Sequence, residues 1–98
     1  MVVISYGKLK EFYTVHSTAK DPLNNWYRLL THSDWSDFHE MKQIFGSVDA
    51  IGNDRFVFNI KGNHYRLIAM IFFDIRTVYI RFVGTHAEYD KLKDCSII

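Results

Sequence analysis

Ninety-eight residues, 48% of them hydrophobic and 16% aromatic, suffice for one domain with an aromatic-rich core, so a single domain over residues 1–98 is expected. The formal net charge is only +1, so the chain lacks the strongly basic balance of a general nucleic-acid binder. No apolar run approaches the roughly 20 residues of a membrane span, and Ser5, Lys8 and Lys10 break up the short apolar start, so neither a membrane partner nor a signal peptide is expected.

The small net charge conceals an asymmetry. Residues 1–54 carry five Lys/Arg against seven Asp/Glu, whereas residues 55–93 carry seven against three. The back half is therefore suited to an anionic partner. Cys95 is the one cysteine. It admits no intrachain disulfide and points to a reducing compartment, the cytoplasm.

In chain order, Val2 to Ser5 is expected as a short strand on the edge of a sheet, with Ser5 capping the helix that follows. Leu9, Phe12, Tyr13 and His16 recur at helical spacing over Lys8–His16. Asp21-Pro22 is a helix start signal, and Leu23, Trp26, Tyr27 and Leu30 form the stripe of a second helix ending near Thr31-His32. Trp26 and Tyr27 read as core. A third, short helix is expected from Asp37 to Phe45, with Phe38, Met41, Ile44 and Phe45 inward and Gly46 as its stop. Ser47 to Asp54 reads as a loop, with Gly52-Asn53-Asp54 a turn.

Three β-type runs follow. Arg55 to Lys61 alternates, placing Phe56, Phe58 and Ile60 on one face. Gly62-Asn63 is expected as a two-residue hairpin loop, a favoured pair because both residues tolerate positive φ. Tyr65 to Phe73 and Thr77 to Val83 are apolar on both faces, as in covered strands. Asp74-Ile75-Arg76 is the reversal between them. A last helical segment is expected from Thr85 to Lys93, and Cys95 to Ile98 are expected to be loose. The expected fold is α+β: N-terminal helices packed on a small, mainly antiparallel sheet, in the order β-α-α-(α)-β-β-β-α.

In such a meander Asn59 pairs near Arg66, and Lys61 and His64 flank the turn. If the segment after Val83 folds back across the sheet, Asn59, Lys61, Arg66, Arg81, His86 and Tyr89 gather on one surface. At these residues the chain resembles a known family. NIKGNHYRL, a hairpin, then IRFVGTHAEYDK are together similar to the HigB-type toxins of toxin–antitoxin pairs, within the RelE-like superfamily, and the likeness spans nearly the whole chain. The resemblance implies a small ribonuclease that cuts mRNA on the translating ribosome and is held inactive by an antitoxin. That partner is expected to be HigA-like and to carry a helix-turn-helix. No such element is visible in this chain, so no direct DNA contact by it is expected.

Metal-free RNA cleavage needs a group to take a proton from the 2′-OH, cationic donors for the phosphorane, and a proton for the leaving 5′-oxygen. His86 is the leading proton carrier, since imidazole titrates near neutrality and this one falls on the THxEYD motif of the resemblance. The competing reading is a surface histidine capping the last helix. Arg66 matches the arginine by which the superfamily holds the scissile phosphate, and its guanidinium suits bidentate contact. The competing reading is a salt bridge to Glu88 or Asp90. Lys61 is expected to neutralise phosphate charge, or else to be a solvated turn lysine. Tyr89 is expected to stack on a base or hold the phosphate, as a tyrosine near this point does in relatives, or else to be core. Asn59, Asn63, His64 and Arg81 are expected to contact RNA, Asn63 alternatively serving only the turn and Arg81 alternatively pairing with Asp90. Some relatives use several lysines where this chain has Asn59 and Lys61.

His16, His32 and His39 read as surface or packing residues. Five histidines and eleven carboxylates invite a metal, but neither HExxH nor paired-cysteine spacing occurs, so no metal or other cofactor is expected. A serine hydrolase lacks its nucleophile elbow here. The alternative to an endoribonuclease is a noncatalytic RNA- or protein-binding module on the same fold.

Overall fold

The computed structural model describes residues 1–98. Its elements are strand β1 (Val2–Ile4), helices α1 (Tyr6–Val15), α2 (Lys20–Thr31) and α3 (Phe38–Ile44), strands β2 (Asp49–Gly52), β3 (Arg55–Ile60), β4 (Tyr65–Phe72) and β5 (Thr77–Thr85), and helix α4 (His86–Asp90). The strands form one sheet in the order β1-β5-β4-β3-β2. β1 runs parallel to β5, and the other neighbours are antiparallel. The architecture is α+β with helices ahead of a mainly antiparallel sheet, as the sequence predicts.

The alternation in β3 does what period-2 patterning dictates. Phe56, Phe58 and Ile60 enter the main core together with Tyr65, Leu67, Ala69 and Ile71 of β4 and Val78 and Ile80 of β5. The helices supply Leu9, Leu23, Trp26, Leu30 and Met41 to the same core. Trp26 is buried and meets Phe58 edge to face with ring centroids 5.4 Å apart.

Several local expectations are corrected. Ser5 precedes α1 but its side chain makes no capping bond. The second helix begins at Lys20, because a turn of 3₁₀ helix over Ser17–Ala19 leads straight into it. Asp37 caps α3 by accepting from the Glu40 N–H at 3.0 Å, whereas Ile44 is exposed rather than inward. The stretch expected as a loop contains strand β2, whose Asp49 and Ala50 pair with Val57 and Phe56. In the β3–β4 hairpin the residues with positive φ are Lys61 and Gly62, at 52° and 62°, not Gly62 and Asn63. The His64 N–H closes that loop on the Lys61 carbonyl at 3.2 Å.

The second face of the sheet is also covered. Val57 and Ile68 are buried there, although neither belongs to the helical core. α4 packs on β4 and β5, and the turn over Cys95–Ile97 packs on β2. Residues 95–98 are therefore held, not loose.

Candidate active site

A close approach at Gly84 lets the chain double back from β5. Gly84 stands opposite Arg66 in the β4–β5 ladder. A Cβ placed on it would lie 2.5 Å from Phe82 Cζ and 3.3 Å from Glu88 Cβ. α4 begins immediately afterwards with a capping box: Thr85 Oγ1 accepts from the Glu88 N–H at 3.1 Å, and Glu88 Oε1 accepts from the Thr85 N–H at 2.8 Å. The Thr85 N–H holds the Glu88 carboxyl below its ordinary range, partial burial opposing and the Thr85 hydroxyl, His16 and Lys91 assisting.

This helix brings Tyr89 over the guanidinium of Arg66, 5.8 Å from Arg66 Cζ to the ring centroid. Arg66 is the one charged residue that is buried, at 9% exposure. It donates to Asn63 Oδ1 and, at 3.3 Å, to the Tyr65 carbonyl. It pairs with neither Glu88 nor Asp90, so the salt-bridge reading is set aside. Burial, then the adjacent Cys95 thiol, push the Tyr89 phenol above its ordinary value, with Arg66 pulling the other way.

His86 opens the same helix. Its N–H donates to the His64 carbonyl at 3.0 Å, which ties the start of α4 to the end of the hairpin loop that carries Asn63. The His86 Nδ1 lies 3.0 Å from Asp90 Oδ2, one turn on. The ring is partly accessible, at 41% side-chain exposure.

Thus Arg66, Asn63, His64, Tyr89 and His86 share one end of the sheet, where α4 rests on it. Asn59 pairs directly with Arg66 across the β3–β4 ladder and is exposed. Lys61 is exposed in the adjoining loop, at its first left-handed position. The His64 ring turns back onto the Lys61 carbonyl at 2.9 Å. Arg81 stands apart. It is exposed, donates to the main-chain oxygen of Ile98 at 3.0 Å, and does not pair with Asp90. It lines a groove of about 440 Å³ with Lys8, Phe12, His16 and Glu88 that contains neither Arg66 nor His86.

Asp90, weighed in the sequence as a partner for Arg66 or Arg81, lies instead beside His86, four residues back on the same helical face. His16, expected to be a surface or packing residue, does pack: it stacks on Phe12 with centroids 4.4 Å apart. No cluster of three or more His, Cys, Asp or Glu is arranged to hold a metal. No helix is long and apolar enough to cross a membrane.

Residues 19–92 match the HigB toxin family, described as the RelE-like toxic component of a toxin–antitoxin system. The chain is 31% identical over 94 residues to an mRNA interferase HigB of Escherichia coli O6:H1, covering 94% of this chain and 91% of that protein. It is 35% identical over 82 residues to the mRNA interferase toxin HigB of Escherichia coli K12, covering 82% of this chain and 76% of that protein. The mRNA interferase HigB of Shigella flexneri matches with the same identity and coverage. With most of its length matched in this way, the chain belongs to the HigB family of toxins, in which a toxic protein is paired with an antitoxin.

Proposed function

We propose that this toxin is an endoribonuclease that cuts mRNA without a metal, at the end of the sheet where α4 crosses Arg66. The observation that carries the reading is the Arg66 guanidinium. It is buried, faces no carboxylate, and lies under a helix that also presents an imidazole. A buried cation without a counter-ion is costly, and an arriving phosphate offsets that cost.

Arg66 takes the non-bridging oxygens of the scissile phosphate, and Asn63 sets the direction of its fork. Lys61, in the adjoining loop, adds charge as the phosphorane forms. The His86 imidazole moves a proton, either taking it from the 2′-OH or giving it to the 5′-oxygen. The 2′-oxygen bonds to phosphorus, the P–O5′ bond breaks, and the products are a 2′,3′-cyclic phosphate and a 5′-OH. The Asp90 carboxylate sits 3.0 Å from Nδ1 of that imidazole. The Tyr89 ring orients the strand or stacks on a base, and Asn59 and His64 supply hydrogen bonds at the rim. The partner is an antitoxin of HigA-like, helix-turn-helix type. The small net charge of +1 supports a ribosome-bound message as the substrate, with the ribosome contributing part of the binding.

The test is induction of wild type, His86→Ala and Arg66→Ala in a bacterium, followed by primer extension on a translated message. Discrete new 5′ ends and growth arrest with the wild type, lost in both variants, are expected. Arrest by both variants at wild-type strength removes the assignment of the site. An intact message beside arrest by the wild type replaces the enzyme with a noncatalytic binding module.

A further inference from the structure

Phenylalanine side chains bury themselves, and all but one of the eight in this chain are placed by packing. Phe56 and Phe58 lie in the main core, and Phe12, Phe38, Phe45 and Phe73 pack against it. Phe72 meets Tyr79 edge to face, with ring centroids 6.1 Å apart. Phe82 alone neither joins that core nor pairs with another aromatic ring. It is half-buried, so part of the ring stays open.

The ladder ties this ring to Arg66. Gly84 stands opposite Arg66 and Phe82 opposite Ile68, so all four residues share one face of the sheet. At roughly 3.3 Å per residue along a strand and 4.8 Å between strands, the Phe82 and Arg66 Cα atoms are about 8 Å apart. A Cβ on Gly84 would lie 2.5 Å from Phe82 Cζ and 3.0 Å from Cε2, so the ring leans over Gly84 toward the Arg66 row. The absent side chain of Gly84 is the room it occupies.

The open part of the ring lines the groove of about 440 Å³ between α1 and β5, which Phe12 also borders. That volume falls within the roughly 300–1,000 Å³ of small-molecule sites. Lys8 and Arg81 are offset in the groove by Glu11 and Glu88. A phosphate site calls for an excess of cations, which this groove does not offer. The balance suits the neutral, planar part of a nucleotide, because stacking on an aromatic ring needs no counter-charge.

We infer that the Phe82 ring is a stacking platform for the RNA base adjoining the phosphate held at Arg66, and that the groove beside it receives that base. This rests on the RNA-cutting reading above. The strand crosses the α4 end of the sheet with its charge at Arg66 and one base turned aside onto Phe82. The contact is made to a ring face and reads no base edge, so it accepts any base. It fixes where the strand lies, and therefore acts on binding more than on the chemical step.

The experiment follows cleavage of a translated message in a reconstituted translation reaction, by primer extension, using the full chain and variants at Phe82. Phe82→Leu keeps an apolar side chain over Gly84 and removes the ring face. Phe82→Met is a second variant of that kind should the first fail to fold, and Phe82→Tyr keeps the ring. Loss of the stack should raise KM for the message about tenfold in the Leu and Met variants, with kcat within about twofold, while the Tyr variant cuts as the wild type does. An unchanged KM and kcat in the Leu and Met variants, with Arg66→Ala still abolishing cleavage, overturns this inference and leaves the RNA-cutting reading intact. A lower kcat at unchanged KM makes Phe82 a spacer that seats α4 over Gly84, and overturns the platform. A Tyr variant as impaired as the Leu one overturns it as well. Unchanged cleavage with weaker antitoxin binding assigns the ring to the antitoxin and overturns the base pocket. No cleavage by the wild-type chain overturns both readings.

Discussion

The Tyr89 ring lies over the Arg66 guanidinium, with 5.8 Å between ring centroid and Arg66 Cζ, and this contact joins the last helix to the middle of the sheet. Its cation–π component is worth about 0.5–2 kcal/mol, depending on desolvation. Tyr89→Phe keeps the ring and should change stability by under about 1 kcal/mol, whereas Tyr89→Ala also removes half-buried packing and should cost about 2 kcal/mol. RNA cleavage should fall further in the alanine variant than in the phenylalanine one. Urea midpoints and cleavage rates of the purified proteins check both. Equal activity losses in the two variants would assign the role to the hydroxyl instead of the ring.

The Asp90 carboxylate lies 3.0 Å from Nδ1 of His86, one turn along α4, close enough to position that ring. Asp90→Asn should lower kcat by up to about fivefold with little change in KM, as expected for loss of an exposed carboxylate–imidazole contact worth about 0.2–1 kcal/mol. In a His86→Ala background the same change should do nothing further, because the group it positions is gone. A full additional loss in the double variant would show that Asp90 touches the RNA itself.

Legibility differed with the kind of force involved. The three-strand meander was readable because Phe56, Phe58 and Ile60 alternate and because β4 and β5 are apolar on both faces apart from Arg66 and Arg81. β2 was not, since Asp49-Ala50-Ile51-Gly52 offers no buried face and pairs only because β3 has an open edge. The grouping of Arg66, Asn59 and His86 followed from ladder register plus a helix doubling back. The hold of Asn53 on the Ser96 carbonyl is side chain to main chain, 43 residues apart, and has no period in the sequence. Asn63 was read as a turn former, yet the left-handed positions went to Lys61 and Gly62, which frees the Asn63 side chain to hold Arg66.

Glu88 makes the docking of α4 sensitive to acid. Its folded carboxyl titrates below the ordinary 4.5, chiefly because it accepts from the Thr85 N–H. The unfolded chain therefore binds the proton more readily than the folded one. The contribution to stability is complete above the ordinary glutamate range and disappears as pH falls through the lowered folded value. Glu88→Ala should cost about 1 kcal/mol near neutrality, a typical value for losing a cap, and the gap from wild type should shrink in acid. Chemical denaturation of both proteins across a pH series measures this. A gap that stays constant into acid would mean that the carboxylate contributes nothing to the cap.

Gly84 sets how closely α4 approaches the sheet. A methyl group there would point to the Arg66 face, into space held by the Phe82 ring at 2.5 Å and Glu88 Cβ at 3.3 Å. The ring can swing aside only by giving up its own packing, and the helix must then move by a few tenths of an ångström. Gly84→Ala should therefore cost about 1–3 kcal/mol, as overpacking does. It should also weaken cleavage by loosening Tyr89 and His86 from Arg66. Gly46→Ala is the control, because no atom lies within 4 Å of a Cβ there. Thermal melting and primer extension on the two variants separate the effects. A Gly84→Ala protein that is destabilised yet cuts at the wild-type rate would break the link between helix seating and chemistry, whereas loss of both supports a site assembled by the fold-back itself.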